Sequence, residues 1–399
     1  MTLRVVATAD NHLGHYVARL PLGTLERRRQ RIRRALGHVF DAAIAEAAQL
    51  LVLAGDLFDS PTPRNPDRIY VARRLAELRQ HGIRVVGVGG NHDTPRSSSE
   101  EGGHLALRVY AELEALGFFG YLDEDGVIRP TVFEGDGLTV AVGGFTPQLN
   151  LPEDADPLEG MTFQSVAADV RLLVLHGSVE GTAPPGATRL IKRESIARLA
   201  GRVDVIVVGD IHRAEHFDCG GVRVVIPGST EQFEFGELGS PGYSLIEIGP
   251  GSIAVRHEEI PAQRRVDVTL AATGLDPDDP TGTIVERLRR DADPDALARF
   301  AVRGMVPRDV YRRLNPVSIE DVGRRSFFAY DLDLSEMSVQ LGLNRNLLWT
   351  PRRTMADEVR AVIDYELPLA TDSAEQDLLI STKEALLEAL AAEGEVATP

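Results

Sequence analysis

A chain of 399 residues with 43% hydrophobic and 26% charged side chains is globular and too long for one ordinary core, which points to two or three domains. The formal net charge of −17 argues against broad, sequence-independent attraction to nucleic acid, so a polyanion would have to be met by local basic patches, metal ions or a partner. A single cysteine, Cys219, rules out an internal disulfide. No run is apolar for long enough to span a bilayer, and the N-terminus lacks a signal-peptide pattern, so the expected setting is the reducing cytoplasm without a membrane partner.

Through the first half, apolar runs alternate with helical segments, the signature of parallel βαβ units. Residues 3–9 read as a strand ending at Asp10-Asn11-His12, and an Arg-rich helix is expected over 25–49. Leu50–Ala54 is a continuous apolar run, fitting a strand covered on both faces, and it runs into Gly55-Asp56. A helix over 64–81 leads to a strand over 84–88, which ends in Gly89-Gly90-Asn91-His92-Asp93. Residues 104–116 read as helix, and 127–133 with 138–143 as a hairpin turning at Gly135-Asp136-Gly137.

Three more strands follow, over 171–175 (ending at His176), 203–208 (ending at Gly209-Asp210-Ile211-His212) and 222–226 (running into Pro227-Gly228-Ser229). Closing antiparallel strands are expected over 243–248 and 252–259. A boundary near Pro261 precedes a small α+β unit with strands over 265–270 and 300–304 and a helix over 281–290. Two final helices are expected, one capped at residues 354–357 and stopping before Pro368, the other capped by Asp372-Ser-Ala-Glu375 and reaching Glu393, with 395–399 frayed.

Five strand ends carry metal-ligand types: Asp10 and His12; Asp56; Asn91 and His92; His176; Asp210 and His212. In extended chain, residues i and i+2 point the same way, so each Asp-x-His pair can serve one site. Carboxylate, imidazole and amide oxygen suit Mn²⁺, Mg²⁺ or Fe²⁺ better than a thiolate-seeking metal. One such residue alone reads as a turn or cap. The run of them at successive strand ends, where α/β sheets bind ligands, is what points to a metal site.

Asp10-x-His12, Gly55-Asp56, Gly90-Asn91-His92-Asp93, His176 and Gly209-x-x-His212 resemble the calcineurin-like metallophosphoesterase superfamily. Asp10-Asn-His12-Leu-Gly14, Gly55-Asp-Leu-Phe-Asp59 and the run 227–236, PGSTEQFEFG, resemble more closely the SbcD type of DNA double-strand-break repair nuclease, relatives of the "meiotic recombination eleven" nuclease. The resemblance implies an α/β fold: a four-layer β-sandwich core flanked by helices (1–260), a small α+β capping domain facing DNA (261–340) and a helical C-terminal partner-binding segment (341–399). It implies two divalent cations, Mn²⁺ first, with Asp10, His12 and His212 on one, Asn91, His176 and Asp210 on the other, and Asp56 bridging. His92 would be the general acid. Aspartate at position 210 departs from the family's usual histidine, and Asp59 stands where some relatives carry a catalytic histidine.

The activity implied is exonuclease on double-stranded ends and endonuclease on single strands or hairpins, as a cytoplasmic, nucleoid-associated homodimer with an SbcC-type coiled-coil ATPase. The alternatives are a small-molecule phosphodiesterase or phosphatase, or a weakly active DNA-end scaffold. Arg27, Arg31 and Arg34 share one helical face and could meet phosphates, as could Arg96; a solvated helix face and a plain exposed loop are the rival readings. Arg324-Arg325, Arg345 and Arg352-Arg353 are further candidates from the cap side. Phe233 and Phe235 could wall the site or pack in the core. Val359, Val362, Ile363, Leu378, Leu379, Leu386, Leu387 and Leu390 give the final helices apolar faces, for packing on each other or for a partner coiled coil.

Overall fold

The computed structural model describes residues 2–17, 20–97, 99–249, 251–340, 355–370 and 372–393. Arg345, Arg352-Arg353, the cap at Thr354 and the 395–399 end lie outside the described residues, as does Ser98 of the loop after Arg96. Two compact units emerge, one of Met1–Asp267, Ala292–Arg299 and Arg324–Asp331, the other of Val268–Asp291, Phe300–Gly323 and Leu332–Pro399.

The first unit holds two six-stranded mixed sheets. One contains β1 (Leu3–Thr8), β2 (Leu50–Ala54), β3 (Arg84–Val88) and β4 (Gly117–Phe119), all parallel, with two antiparallel closing strands, β13 (Gly242–Gly249) and β14 (Ser252–Glu259), in the order β14-β13-β1-β2-β3-β4. The other contains β6 (Thr131–Gly135), β7 (Leu138–Gly144), β9 (Val170–His176), β10 (Val205–Gly209), β11 (Glu215–Cys219) and β12 (Val222–Ile226), in the order β11-β12-β10-β9-β7-β6, with β12-β10-β9-β7 parallel.

Every residue of β2 is buried because the strand packs on both faces. Leu50, Val52 and Ala54 join the core shared by the two sheets, while Leu51 and Leu53 join a second core with the helices α1 (Leu22–Ala45) and α2 (Asn65–Gln80). The same period of two splits Leu172 and Val174 from Leu173 and Leu175 on β9. Each such side chain contributes about 1.5–3 kcal/mol of burial. The layers are therefore helix, sheet, sheet, helix, the outer helix on the far side being the short α4 (Arg193–Ala197).

Local departures from the sequence expectation have local causes. Val127–Ile128 (β5) does not join the hairpin, because Pro130 lacks a ladder N–H; it pairs instead with β8 (Thr162–Phe163). The helix expected over 104–116 shrinks to α3 (Arg108–Glu112), and Glu114, two residues past its end, takes positive φ before the chain enters β4.

A further sheet, to which both units contribute residues, pairs β15 (Arg265–Ala271), β16 (Asp293–Pro307) and β17 (Phe327–Asp333) in that order, with β18 (Met337–Gln340) parallel on β16. The helices of the second unit include α5 (Pro280–Arg290), capped by the Asp279 carboxylate accepting from Gly282 N–H at 2.7 Å. After α6 (Arg308–Arg313) and α7 (Pro316–Ser326), α8 (Met355–Glu366) and α9 (Ser373–Glu393) pack together, joined by the Lys383–Asp364 ion pair. Asp372 caps α9 by accepting from Glu375 N–H at 2.8 Å.

Candidate metal centre

The parallel strands of both sheets end on one side, and their last residues turn sharply. Asp10, His12, Asp56 and Asp210 all take positive φ, from 44° at His12 to 92° at Asp210, a region L residues rarely adopt. Strain held at four residues beyond three strand ends is a mark of a functional site. Space is equally restricted: a Cβ on Gly90 would meet the Asp56 carboxylate, and one on Gly209 would lie 2.7 Å from His176 Nδ1.

Asp10, His12, Asp56 and His176 are all at least 95% buried. Potential ligand atoms of Asp10, His12 and His212 lie within 4.8 Å of one another, as do those of Asp10, Asp56 and His176, and those of His12, Asp56 and His92. His176 Nδ1–H donates to the Ala54 carbonyl at 2.9 Å, which turns Nε2 inward. That nitrogen lies 2.8 Å from Asn91 Oδ1, 3.5 Å from Asp56 Oδ2 and 3.8 Å from Asp210 Oδ1. His212 Nδ1–H donates to Glu237 Oε1 at 2.8 Å, and Asp210 accepts from Ser178 Oγ–H at 2.5 Å. The backbone N–H of Asp210 reaches both Asp10 oxygens at 3.1 Å, and that of His92 reaches Asp56 Oδ1 at 2.8 Å.

Electrostatics follow from crowding acids and imidazoles in a dry pocket. Burial raises the Asp10 pKa, with His176 pulling against it. Burial also opposes the charge on Asp56, but His176, then His12 and His92, hold its pKa down at about 2. Burial would discharge His176, yet Asp56, Asp10 and Asp210 keep its pKa well above the ordinary value. Asp93, fully buried beside Asp56, is pushed up to about 7 and binds the N–H groups of Gly90, Leu57 and Phe58.

The residues fit a divalent cation on an observation independent of any motif. Both ring nitrogens of His12 are buried without a hydrogen-bond partner; Nε2 stands 3.8 Å from Asp56 Oδ2, and Nδ1 is 3.2 Å from Asp59 Oδ1 but poorly aligned. A buried imidazole is normally satisfied, and a cation among these donors would satisfy it.

A profile of the calcineurin-like phosphoesterases matches residues 3–214, more than half the chain. The chain belongs to that family. This phosphoesterase is 27% identical to the DNA double-strand break repair protein Mre11 of Methanosarcina mazei over 68% of its own length and 40% of the relative's, so it spans less than half of that protein. It is 23% identical to the uncharacterized metallophosphoesterase YhaO of Bacillus subtilis, over 76% of this chain and 72% of that one. A solved dimetal phosphatase from Danio rerio is 13% identical, with a TM-score of 0.37, over 63% of this chain and 98% of that one.

The phosphoesterase's other predicted contacts are dispersed. His92 is half exposed at the mouth of a cleft also lined by Asp59, Arg96 and Arg189. Arg27 and Arg31 stack on Phe328 at 4.8 and 5.1 Å, and Arg31 also pairs with Asp295; Arg34 is exposed. Arg324 and Arg325 sit in the last turn of α7. Phe233 walls the site as well as packing in the core, with ring centroids 4.7 Å from His12 and 5.7 Å from His212. Glu237, Ser178 and Arg189 had no motif to mark them. Asp59, given no role by sequence, lies 3.2, 3.1 and 3.8 Å from nitrogens of His12, His15 and His92. Among the described residues no helix is long and apolar enough to cross a membrane.

Proposed function

We propose that this phosphoesterase is the nuclease subunit of a DNA-repair assembly, cutting phosphodiesters with two divalent cations, Mn²⁺ foremost. The observation that carries the reading is the buried convergence of Asp10, His12, Asp56 and His176 with the unpartnered imidazole of His12 inside it. In this assignment Asp10, His12 and His212 would hold one cation, and Asn91, His176 and Asp210 the other. Asp56, with two oxygens and a full charge, would serve both. Bound cations supply Lewis acidity, lowering the pKa of water and neutralising phosphate charge.

The chain's own residues do the remaining work. His92 gives its proton to the leaving oxygen, steadied by Asp59. Asp93 pins the loop that carries Asn91 and His92. Phe233 keeps water from one side of the imidazoles. Arg96, in the cleft beside His92, meets the phosphate backbone, and Arg27, Arg31 and Arg34 extend that path along α1, with Arg31 exchanging Asp295 for phosphate. Local basic contacts of this kind answer the chain's overall negative charge.

The reading takes DNA as substrate from the similarity to Mre11. Residues 261–340 serve as the cap and 341–399 as the partner-binding segment, for an SbcC-type ATPase, with the chain acting as a homodimer. Leu378 and Leu386, two turns apart on α9 and both exposed, support helix-in-groove docking. Purified protein with Mn²⁺ is tested on linear duplex, hairpin DNA and a chromogenic phosphodiester. Cleavage of both DNAs is expected. Turnover of the chromogenic ester alone would make it a small-molecule phosphodiesterase, and DNA binding with no turnover a scaffold.

A further inference from the structure

Phe233 faces two different surroundings. On one side lie the imidazoles of His12, His15 and His212. On another, Phe233 helps enclose a cavity of about 250 Å³ with Phe235, Tyr330, Leu297 and Ala298. His15 lines it too, so the cavity opens a single ring away from the metal centre. Ligand pockets usually run to about 300–1,000 Å³, so this one has room for one flat ring system.

Its polar groups narrow the chemistry. Arg265 reaches in with Nη2 held by the Gln232 carbonyl at 2.5 Å and its guanidinium 4.8 Å from the Phe235 ring. Arg299 sits 4.9 Å from the same ring, so Phe235 is clamped. Arg265 is half-buried, and the guanidinium N–H groups that the Gln232 carbonyl does not take are left for an acceptor in the cavity. Asp331 lines the same cavity. A phosphate would meet that carboxylate, and an alkyl chain would leave the Arg265 donor unmet. An uncharged aromatic ring bearing acceptors on its edge suits the aromatic wall and the guanidinium, and a nucleobase is such a ring.

Resting on the nuclease reading, we infer that this cavity receives one unstacked base of the strand being cut, its face against the aromatic wall and an acceptor atom on the Arg265 guanidinium. The adjoining phosphate then lies at the metal centre on the other side of Phe233. Such a pocket favours strands whose bases are already free, as in single strands and hairpin loops, because unstacking a paired base costs energy. Aromatic stacking tolerates any base, so the pocket selects for structure over sequence.

The test uses the full chain stripped of metal with EDTA, so that no strand is cut, and oligonucleotides carrying 2-aminopurine at successive positions. A fluorescence change confined to one position is expected. An abasic nucleotide at that position is expected to weaken binding by roughly fivefold or more, the low end for base stacking on an aromatic side chain. Ala298→Leu, which fills the cavity, and Arg265→Met, which removes the donor while keeping an unbranched side chain of similar length, should abolish the signal, with thermal melting as the check on folding. Equal affinity for abasic and intact strands overturns the inference without any substitution. So does a signal that persists in a variant melting like the parent. Binding without positional signal overturns the pocket but spares the nuclease reading; no oligonucleotide binding, with no Mn²⁺-dependent DNA cleavage, overturns both.

Discussion

Nδ1 of His212 donates a hydrogen bond to Glu237 Oε1 at 2.8 Å, and this contact ties a proposed metal ligand to a loop residue 25 positions away. The bond fixes the tautomer and leaves Nε2 as the free donor atom. Burial disfavours a charged imidazole there, but Glu237, with Asp10, raises the His212 pKa to about 9. Glu237 is itself anchored, accepting Phe233 N–H at 2.8 Å. Carboxylates behind metal-binding histidines typically contribute 10–100-fold in metal affinity, so Glu237→Ala should weaken Mn²⁺ binding by about that factor, with Glu237→Gln milder. Titration calorimetry measures it; an unchanged affinity in the alanine variant would detach Glu237 from the centre.

That contact also marks where sequence reading stops. The strand ends were legible because each joins two local signals, an apolar run such as Leu50–Ala54 and an abrupt Gly-Asp or Asp-x-His at its end. The two closing strands were legible through their alternation, and the last helix through its cap at Asp372. Glu237, Ser178 and Asp59 were not, because a carboxylate or hydroxyl in a loop looks alike whether it touches an imidazole or water. Their roles arise from tertiary proximity, as does the cavity behind Phe233, which gathers residues from 15 to 331. Val127–Ile128 shows the converse: Pro130 was present in the sequence to break the hairpin, but periodicity alone outweighed it.

His92 differs from its neighbours in exposure. Its side chain is 48% exposed, and its Nδ1 lies 3.8 Å from Asp59. The group His12, Asp56 and His92 could also hold a cation, so the two roles need separating. His92→Ala should lower DNA cleavage about 10²–10⁴-fold, the usual worth of a general acid, while two Mn²⁺ per chain remain by elemental analysis. Loss of one metal equivalent would make His92 a ligand instead.

Gly90 has no room for a side chain. A Cβ there would run into the Asp56 carboxylate and its backbone nitrogen. Gly90→Ala should therefore displace Asp56 or the loop carrying Asn91 and His92, and the variant should lose bound metal while keeping its circular dichroism spectrum. Full metal content would show that the loop yields without disturbing Asp56.

Arg28 sits on α1 with only 1% of its side chain exposed. It donates to Glu231 at 2.6 Å, to Gln263 at 2.9 Å and to the Gln232 carbonyl at 2.7 Å, pinning the loop that carries Phe233. Arg28→Ala leaves Glu231 buried and uncompensated, a loss of about 3–5 kcal/mol. Adding Glu231→Leu removes the stranded charge and should recover part of that loss. Urea unfolding of both variants checks this; a double variant no better than the single would mean packing, not charge, sets the cost.

Asp210 holds the strand end through its backbone as much as its side chain. Its N–H reaches both Asp10 oxygens, which any residue could supply, while φ of 92° disfavours all L residues but is least unusual for Asn, Asp and His. Asp210→His thus keeps a donor atom at the same place and loses only the Ser178 hydrogen bond and one negative charge. Two Mn²⁺ per chain should persist, with turnover equal or higher, because an imidazole nitrogen still supplies a ligand there, though a softer one than the carboxylate this metal prefers. Asp210→Gly relieves the backbone but removes the donor, and should lose one cation. If the histidine variant lost metal while the glycine variant kept it, position 210 would serve only as a turn, and the second cation would lack its fourth ligand.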